Sequence, residues 1–209
     1  MKGWLVVLTW RKHDQICEFL KRKCSTVNSN ISSIAHLLPK YETPEGFSKG
    51  ELKTTSALLT LAGSETTATL LSGAVYYLLA PTTSPHILAR LKEEVRNAFS
   101  NDEDITMISV NSLSYQLAVL DESLRLFPPV VGTTSRITGK EGAVIAGHYV
   151  AKNTLVSVPQ YSAYVSERNW TRPDEFIPER WLGAEEFKND KRSVLQPFHV
   201  GPRNCIGRK

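Results

Sequence analysis

Between Pro44 and Pro81 the chain contains no proline, and this span reads as one long helix from about Lys49 to Leu79. Ser48, with Glu51 three residues on, forms a capping box at its start, and Pro81 stops it. Leu52, Leu58, Leu59, Leu61, Leu70, Leu71, Val75, Leu78 and Leu79 place apolar side chains on more than one side. Such a helix crosses the middle of a larger protein rather than lying on its surface. One segment within it is out of character. Ala62-Gly63-Ser64-Glu65-Thr66-Thr67 puts glycine and β-branched threonine, both poor helix formers, in mid-helix. A local rule broken inside an element marks a place to look for function.

Two shorter helices follow. One runs from about Pro85 to Phe99, with Leu88, Leu91, Val95 and Phe99 at helical spacing. The other runs from about Ser112 to Leu126 and ends at Pro128-Pro129. From Thr133 to Val158, short Val, Ile and Thr runs alternate with Gly139, Gly142, Gly147 and Asn153, the texture of a small antiparallel sheet. Pro159 to Arg208 is rich in proline and aromatics with little periodicity, and reads as a long ordered coil. The expected fold class is therefore mainly α with a small antiparallel β-sheet.

The N-terminal part reads differently. Residues 1–24 carry six cations and two anions, which accounts for the whole net charge of +4. They suit an amphipathic helix, residues 25–33 a Ser/Asn linker, and residues 39–50 a loop. The apolar run Gly3–Trp10 is far shorter than the roughly 20 residues that span a membrane. Arg11, Lys12, His13 and Asp14 follow it where a leader would need small residues, so neither anchor nor cleavable leader is expected. No nucleic-acid-binding signature accompanies the basic run. Three cysteines, two near the start and Cys205 near the end, do not make a disulfide framework. The five histidines show no metal-ligand spacing, and His199 is assigned no role.

The strongest chemical signal is Phe198-His199-Val200-Gly201-Pro202-Arg203-Asn204-Cys205-Ile206-Gly207. Glycines at 201 and 207 let backbone bend tightly and approach a flat group, and Pro202 stiffens the bend. Amide groups near Cys205 can stabilise a thiolate, and Arg203 is placed to meet a carboxylate. The second signal is Glu122-Ser123-Leu124-Arg125, whose i and i+3 members share a helix face, with Pro178-Glu179-Arg180-Trp181 about fifty residues on.

In this order the motifs resemble those of the cytochrome P450 family. The resemblance runs from about residue 36 to residue 209 and implies a partial P450 fold, its C-terminal half, preceded by a non-matching basic segment over 1–35. It implies that Cys205 is the metal ligand, holding the iron of a b-type haem. Phe198, Gly201, Arg203 and Gly207 would line that cofactor, and Arg136 would meet a haem propionate. Glu122, Arg125 and Arg180 would form a buried charge triad pinning the coil before Cys205, with Trp181 where many members carry Phe. Glu65 and Thr66 would be the catalytic pair that relays protons on the oxygen side, and the Gly63 region could widen the helix locally.

The function implied is haem-thiolate monooxygenation of a lipophilic small molecule, using O2 and electrons from an NADPH-cytochrome P450 reductase. The texture around Ala146-Gly147-His148-Tyr149-Val150 looks most like fungal secondary-metabolite P450s. The alternatives are a haem-thiolate isomerase or dehydratase and a non-catalytic P450 fragment; an intact Glu65-Thr66 favours the monooxygenase. A monomer without nucleic-acid partners is expected. The family is typically found at the endoplasmic reticulum membrane, though no anchor is read here. Relative to the family the chain reads as cut at both ends, so weak haem binding and poor turnover are expected of it as written.

Overall fold

The structure is a computed structural model that describes residues 48–80, 85–106 and 108–208. The sequence readings for residues 1–47 lie outside the described residues. Two units are distinguished, residues 1–64 and residues 65–209.

The long helix α1 spans Lys49–Leu79. Its capping box forms as the sequence indicates: the Ser48 amide donates to Glu51 Oε2 (2.8 Å) and the Glu51 amide to Ser48 Oγ (3.3 Å). These bonds hold the Glu51 carboxyl below its ordinary range, the Ser48 backbone contributing most. In the first unit, Thr54, Thr60 and Ser64 hydroxyls donate to the carbonyls of Gly50, Ser56 and Thr60, which satisfies side chains that would otherwise oppose helix. α1 remains α-helical through Gly63 and shows no local widening there.

In the second unit, α2 (Pro85–Ala98) and α3 (Ser114–Leu126) pack with the end of α1. Ile87, Tyr115, Val119, Leu126 and Phe176 form the core, joined by Tyr77, Leu78, Leu91 and Val165. Tyr77 stacks on Phe176 with centroids 4.9 Å apart. Gly73 lets α1 approach Phe127: a Cβ there would sit 2.6 Å from the ring. α3 starts two residues later than the sequence suggests, because Ser109–Ser112 forms a 3-10 turn. Its free amides at Tyr115 and Gln116 are capped from α2, by Glu94 Oε1 (2.7 Å) and Oε2 (2.8 Å).

The expected small sheet is divided into two antiparallel pairs. β1 (Arg136–Ile137) pairs with β4 (Leu155–Val156), and β2 (Ala143–Ile145) pairs with β3 (His148–Val150). The β2–β3 hairpin turns on Ala146 (φ 50°) and Gly147 (φ 84°), both left-handed, as a two-residue turn matched to strand twist requires. Beyond β4 comes a short helix α4 (Gln160–Tyr164), then coil with brief 3-10 turns to Arg208. Among the described residues, no helix is long and apolar enough to cross a membrane.

Candidate functional site

Glu122, Arg125 and Arg180 meet, and all three are completely buried. α3 brings the first two onto one face, and the 3-10 turn Pro178–Leu182 brings Arg180 against them. The Glu122 carboxylate accepts five bonds. Oε1 takes Arg125 Nη2 (2.8 Å), Arg180 Nε (3.0 Å) and the Ile177 amide (3.0 Å). Oε2 takes Arg125 Nε (3.0 Å) and the Trp181 indole (2.9 Å). Two cations beside one anion would leave a buried net charge. Asp190 removes it: its Oδ2 accepts from Arg180 Nη1, and its Oδ1 from the Thr171 amide (2.7 Å). The unit is thus a neutral tetrad. Trp170, also buried, lies beneath both guanidiniums at 5.3 and 5.9 Å. Burial, with Glu122 next to it, pushes the Asp121 carboxyl up.

The Cys205 loop is a tight return. The Cys205 amide donates to Phe198 O (2.8 Å) and the Asn204 amide to Gly201 O (3.1 Å). Gly201 has φ 84°, a conformation that glycine adopts without strain. Cys205 is a free, exposed thiol. A Cβ on Gly207 would stand 3.7 Å from its sulfur, ordinary contact, so closeness alone does not demand glycine there. Phe198 faces a cavity of about 210 Å³ that Asp121, Trp181 and Arg208 also line. Arg136, from β1, and Arg203, from the loop, line one open cavity of about 420 Å³. Arg136 also lines an adjoining cavity of about 300 Å³ with Thr134, Gln160 and His199. Among the described residues, no carboxylate lines either space.

Glu65 is exposed and Thr66 half-buried on α1. Neither lines the cavities that Arg136, Arg203 and His199 share.

The cytochrome P450 family model matches residues 10–209. The chain belongs to the cytochrome P450 family. It is 52% identical over 167 residues to averantin hydroxylase of Dothistroma septosporum, covering 80% of this chain and 31% of that protein. It is 45% identical over 204 residues to the cytochrome P450 monooxygenase tpeC of Talaromyces stipitatus, covering 98% and 39%. It is 48% identical over 158 residues to trichothecene C-15 hydroxylase of Fusarium sporotrichioides, covering 75% and 32%. The chain spans between three and four tenths of the length of these fungal P450 relatives. The match opens at residue 10, within the basic 1–35 segment.

Two residues of this site escape sequence reasoning. Asp190 sits in coil with no motif of its own; only the charge imbalance of the Glu122, Arg125 and Arg180 set calls for it. His199 has no metal-ligand spacing, yet its ring lies within 3.3 and 3.4 Å of Thr134 Oγ1 and 3.4 Å of Gln160 Nε2. Trp181, a mild departure from the common Phe, brings an N–H that Phe lacks and bonds Glu122 with it.

Proposed function

We propose that this chain forms the cofactor-binding half of a haem-thiolate monooxygenase, with Cys205 as the iron ligand. The observation that carries the reading is the convergence of Arg136 and Arg203 on one carboxylate-free cavity beside the loop that exposes the Cys205 thiol. The residues fit the group. An exposed sulfur can reach a metal, two arginines can hold two propionates, and the left-handed Gly201 lets the loop lie flat. Bound haem supplies the chemistry, putting one atom of O2 into a C–H bond or double bond of a lipophilic substrate and the other into water, with two electrons from NADPH delivered through a reductase. Within the chain, Arg136 and Arg203 neutralise and orient the cofactor's carboxylates. The buried tetrad fixes the coil that carries the Cys loop. As the family resemblance implies, Glu65 would pass protons at its exposed carboxylate and Thr66 would hold one at Oγ1.

The test is haemin titration of the chain and of Cys205→Ser, Arg136→Ala and Arg203→Ala. Wild type gives a thiolate-type Soret band in the ferrous–CO state, and Cys205→Ser abolishes it. Each arginine removal weakens haemin binding roughly tenfold, the loss of one charge-assisted bond worth about 1.5 kcal/mol. The same spectrum in Cys205→Ser overturns the ligand assignment. Haem retention without O2- and reductase-dependent product, in a chain extended to the length of its relatives, overturns the monooxygenase reading.

A further inference from the structure

His199 occupies a backbone conformation, φ 56°, that L-residues adopt only with strain. A glycine would sit there freely, so the side chain has to return something. Its ring reaches two partners from different elements: Thr134, two residues before Arg136, and Gln160 at the start of α4. Gln160 is buried, and its amide orientation is set by a third contact. Gln160 Nε2 donates to Gln196 O at 3.0 Å, a carbonyl that also accepts the His199 amide at 3.0 Å. The second hydrogen on Nε2 is then left for His199 Nδ1, 3.4 Å away. A ring nitrogen that receives a hydrogen bond carries no proton. The proton therefore sits on Nε2, the ring nitrogen nearer to Thr134 Oγ1 (3.3 Å, against 3.4 Å from Nδ1), and that oxygen accepts it.

We infer that His199 is a positioning residue for the Cys205 loop, acting as the neutral Nε2–H tautomer that takes a bond from Gln160 and gives one to Thr134. The ring ties the approach to β1, which carries Arg136, to the loop that carries Arg203 and Cys205. It thereby sets the separation of the two arginines. Protonation would set an Nδ1–H against the Gln160 N–H, donor against donor. It would also add a cation to a cavity whose other charged lining residue is Arg136. Arg203 lies across the adjoining cavity, and behind Gln196 stands the Tyr164 hydroxyl, which accepts the Gln196 amide. No carboxylate is among these groups.

The consequence for catalysis rests on the haem-thiolate reading, but the tautomer does not, so the test uses the full chain without haem. In 15N-histidine-labelled protein at pH 7.5, the His199 signals, assigned by their loss in His199→Asn, show the Nε2–H pattern. Gln160→Glu, which presents an acceptor to Nδ1, converts them to the Nδ1–H or doubly protonated pattern. An Nδ1–H pattern in wild type, or no change in Gln160→Glu, overturns the inference. Hydrogen exchange of the Cys205 amide gives a second readout, because His199→Asn keeps an acceptor oxygen near the Nδ1 position and His199→Gln does not. Corrected for intrinsic rates, exchange in His199→Asn stays within about twofold of wild type, and in His199→Gln it rises about tenfold. Equal exchange in the two variants overturns the inference. Failure of the haemin titration, with these results intact, would instead overturn the haem reading.

Discussion

Glu122→Gln removes one charge and almost no volume, which makes it the cleanest probe of the buried tetrad. The carboxylate accepts five hydrogen bonds, four from guanidinium or indole side chains and one from the Ile177 amide. An amide in its place turns one acceptor into a donor that faces donors. If the amide nitrogen takes the Oε2 position, the Arg125 Nε and Trp181 contacts become repulsive; at the Oε1 position, three contacts do. Either way two cations remain in a site with no solvent access, and Asp190 alone balances them. Breaking a buried ion pair by removing one partner costs about 3–5 kcal/mol. For a chain of this size about 2–4 °C of melting temperature is lost per kcal/mol, which gives a fall of roughly 6–20 °C. The assay is thermal and urea unfolding followed by circular dichroism at pH 7, wild type against variant. A loss below about 1 kcal/mol, the worth of an exposed ion pair, would refute the account, because the tetrad would then be no more than a surface contact.

Three further outcomes are expected. Trp181→Phe deletes the indole bond to Glu122 and lowers stability by about 1.5–3 kcal/mol in the same unfolding assay, the range for a hydrogen bond to a charged group; a change under 0.5 kcal/mol would show the bond to be idle. Tyr164→Phe removes the hydroxyl that accepts the Gln196 amide at 3.0 Å, costs about 1 kcal/mol, and speeds hydrogen exchange at Gln196 while α3 keeps its protection. The Asp121 carboxyl is raised by burial and by Glu122, so its contribution to stability is present in acid and lost as pH climbs through its folded-state value. Asp121→Asn should therefore match wild type near pH 4 and become progressively more stable than wild type toward pH 7, read as the difference in urea midpoint; a gap that narrows with rising pH would contradict the sign.

Much of the fold was legible because its signals are local. The proline-free span, the Ser48–Glu51 box and the proline stop delimit α1, and Leu88, Leu91 and Val95 mark α2 by spacing alone. α3 starts at Ser114 rather than Ser112 because Ser109–Ser112 forms a 3-10 turn and Glu94, a residue twenty positions upstream, caps the first amides that follow. Sequence spacing does not report such a contact. The sheet divides in two because Thr138 and Thr154 exchange bonds beside β1 and β4, while the left-handed Ala146–Gly147 turn closes β2 on β3. In the site, Glu122 and Arg125 could be paired from their i, i+3 spacing, and Arg180 from the motif that contains it. Asp190 and His199 could not, because each acts through a partner distant in sequence and neither stands in a periodic element.

The arginines of the tetrad do more than balance charge, and this bears on why they are arginines. The coil between α4 and the 3-10 turn at Pro178 has no regular structure with which to satisfy its own carbonyls. Arg125 uses all five of its N–H groups: two on Glu122, and three on the carbonyls of Tyr164, Pro173 and Glu175. Arg180 adds the carbonyls of Thr171 and Arg172. Five backbone acceptors, four in this coil and one at the end of α4, are thus held by two side chains, and only a guanidinium offers that many directed donors. An apolar trio of equal volume, which can replace a buried ion pair elsewhere without loss, would here strand those carbonyls. The same segment passes the constraint onward. Tyr164 gives its carbonyl to Arg125 and takes the Gln196 amide on its hydroxyl, Gln160 holds the Gln196 carbonyl, and Phe198 O then receives the Cys205 amide. The position of the thiol is fixed from α3 outward by this chain of hydrogen bonds, so damage to the tetrad should reach Cys205 although, among the described residues, no hydrogen bond joins the two directly.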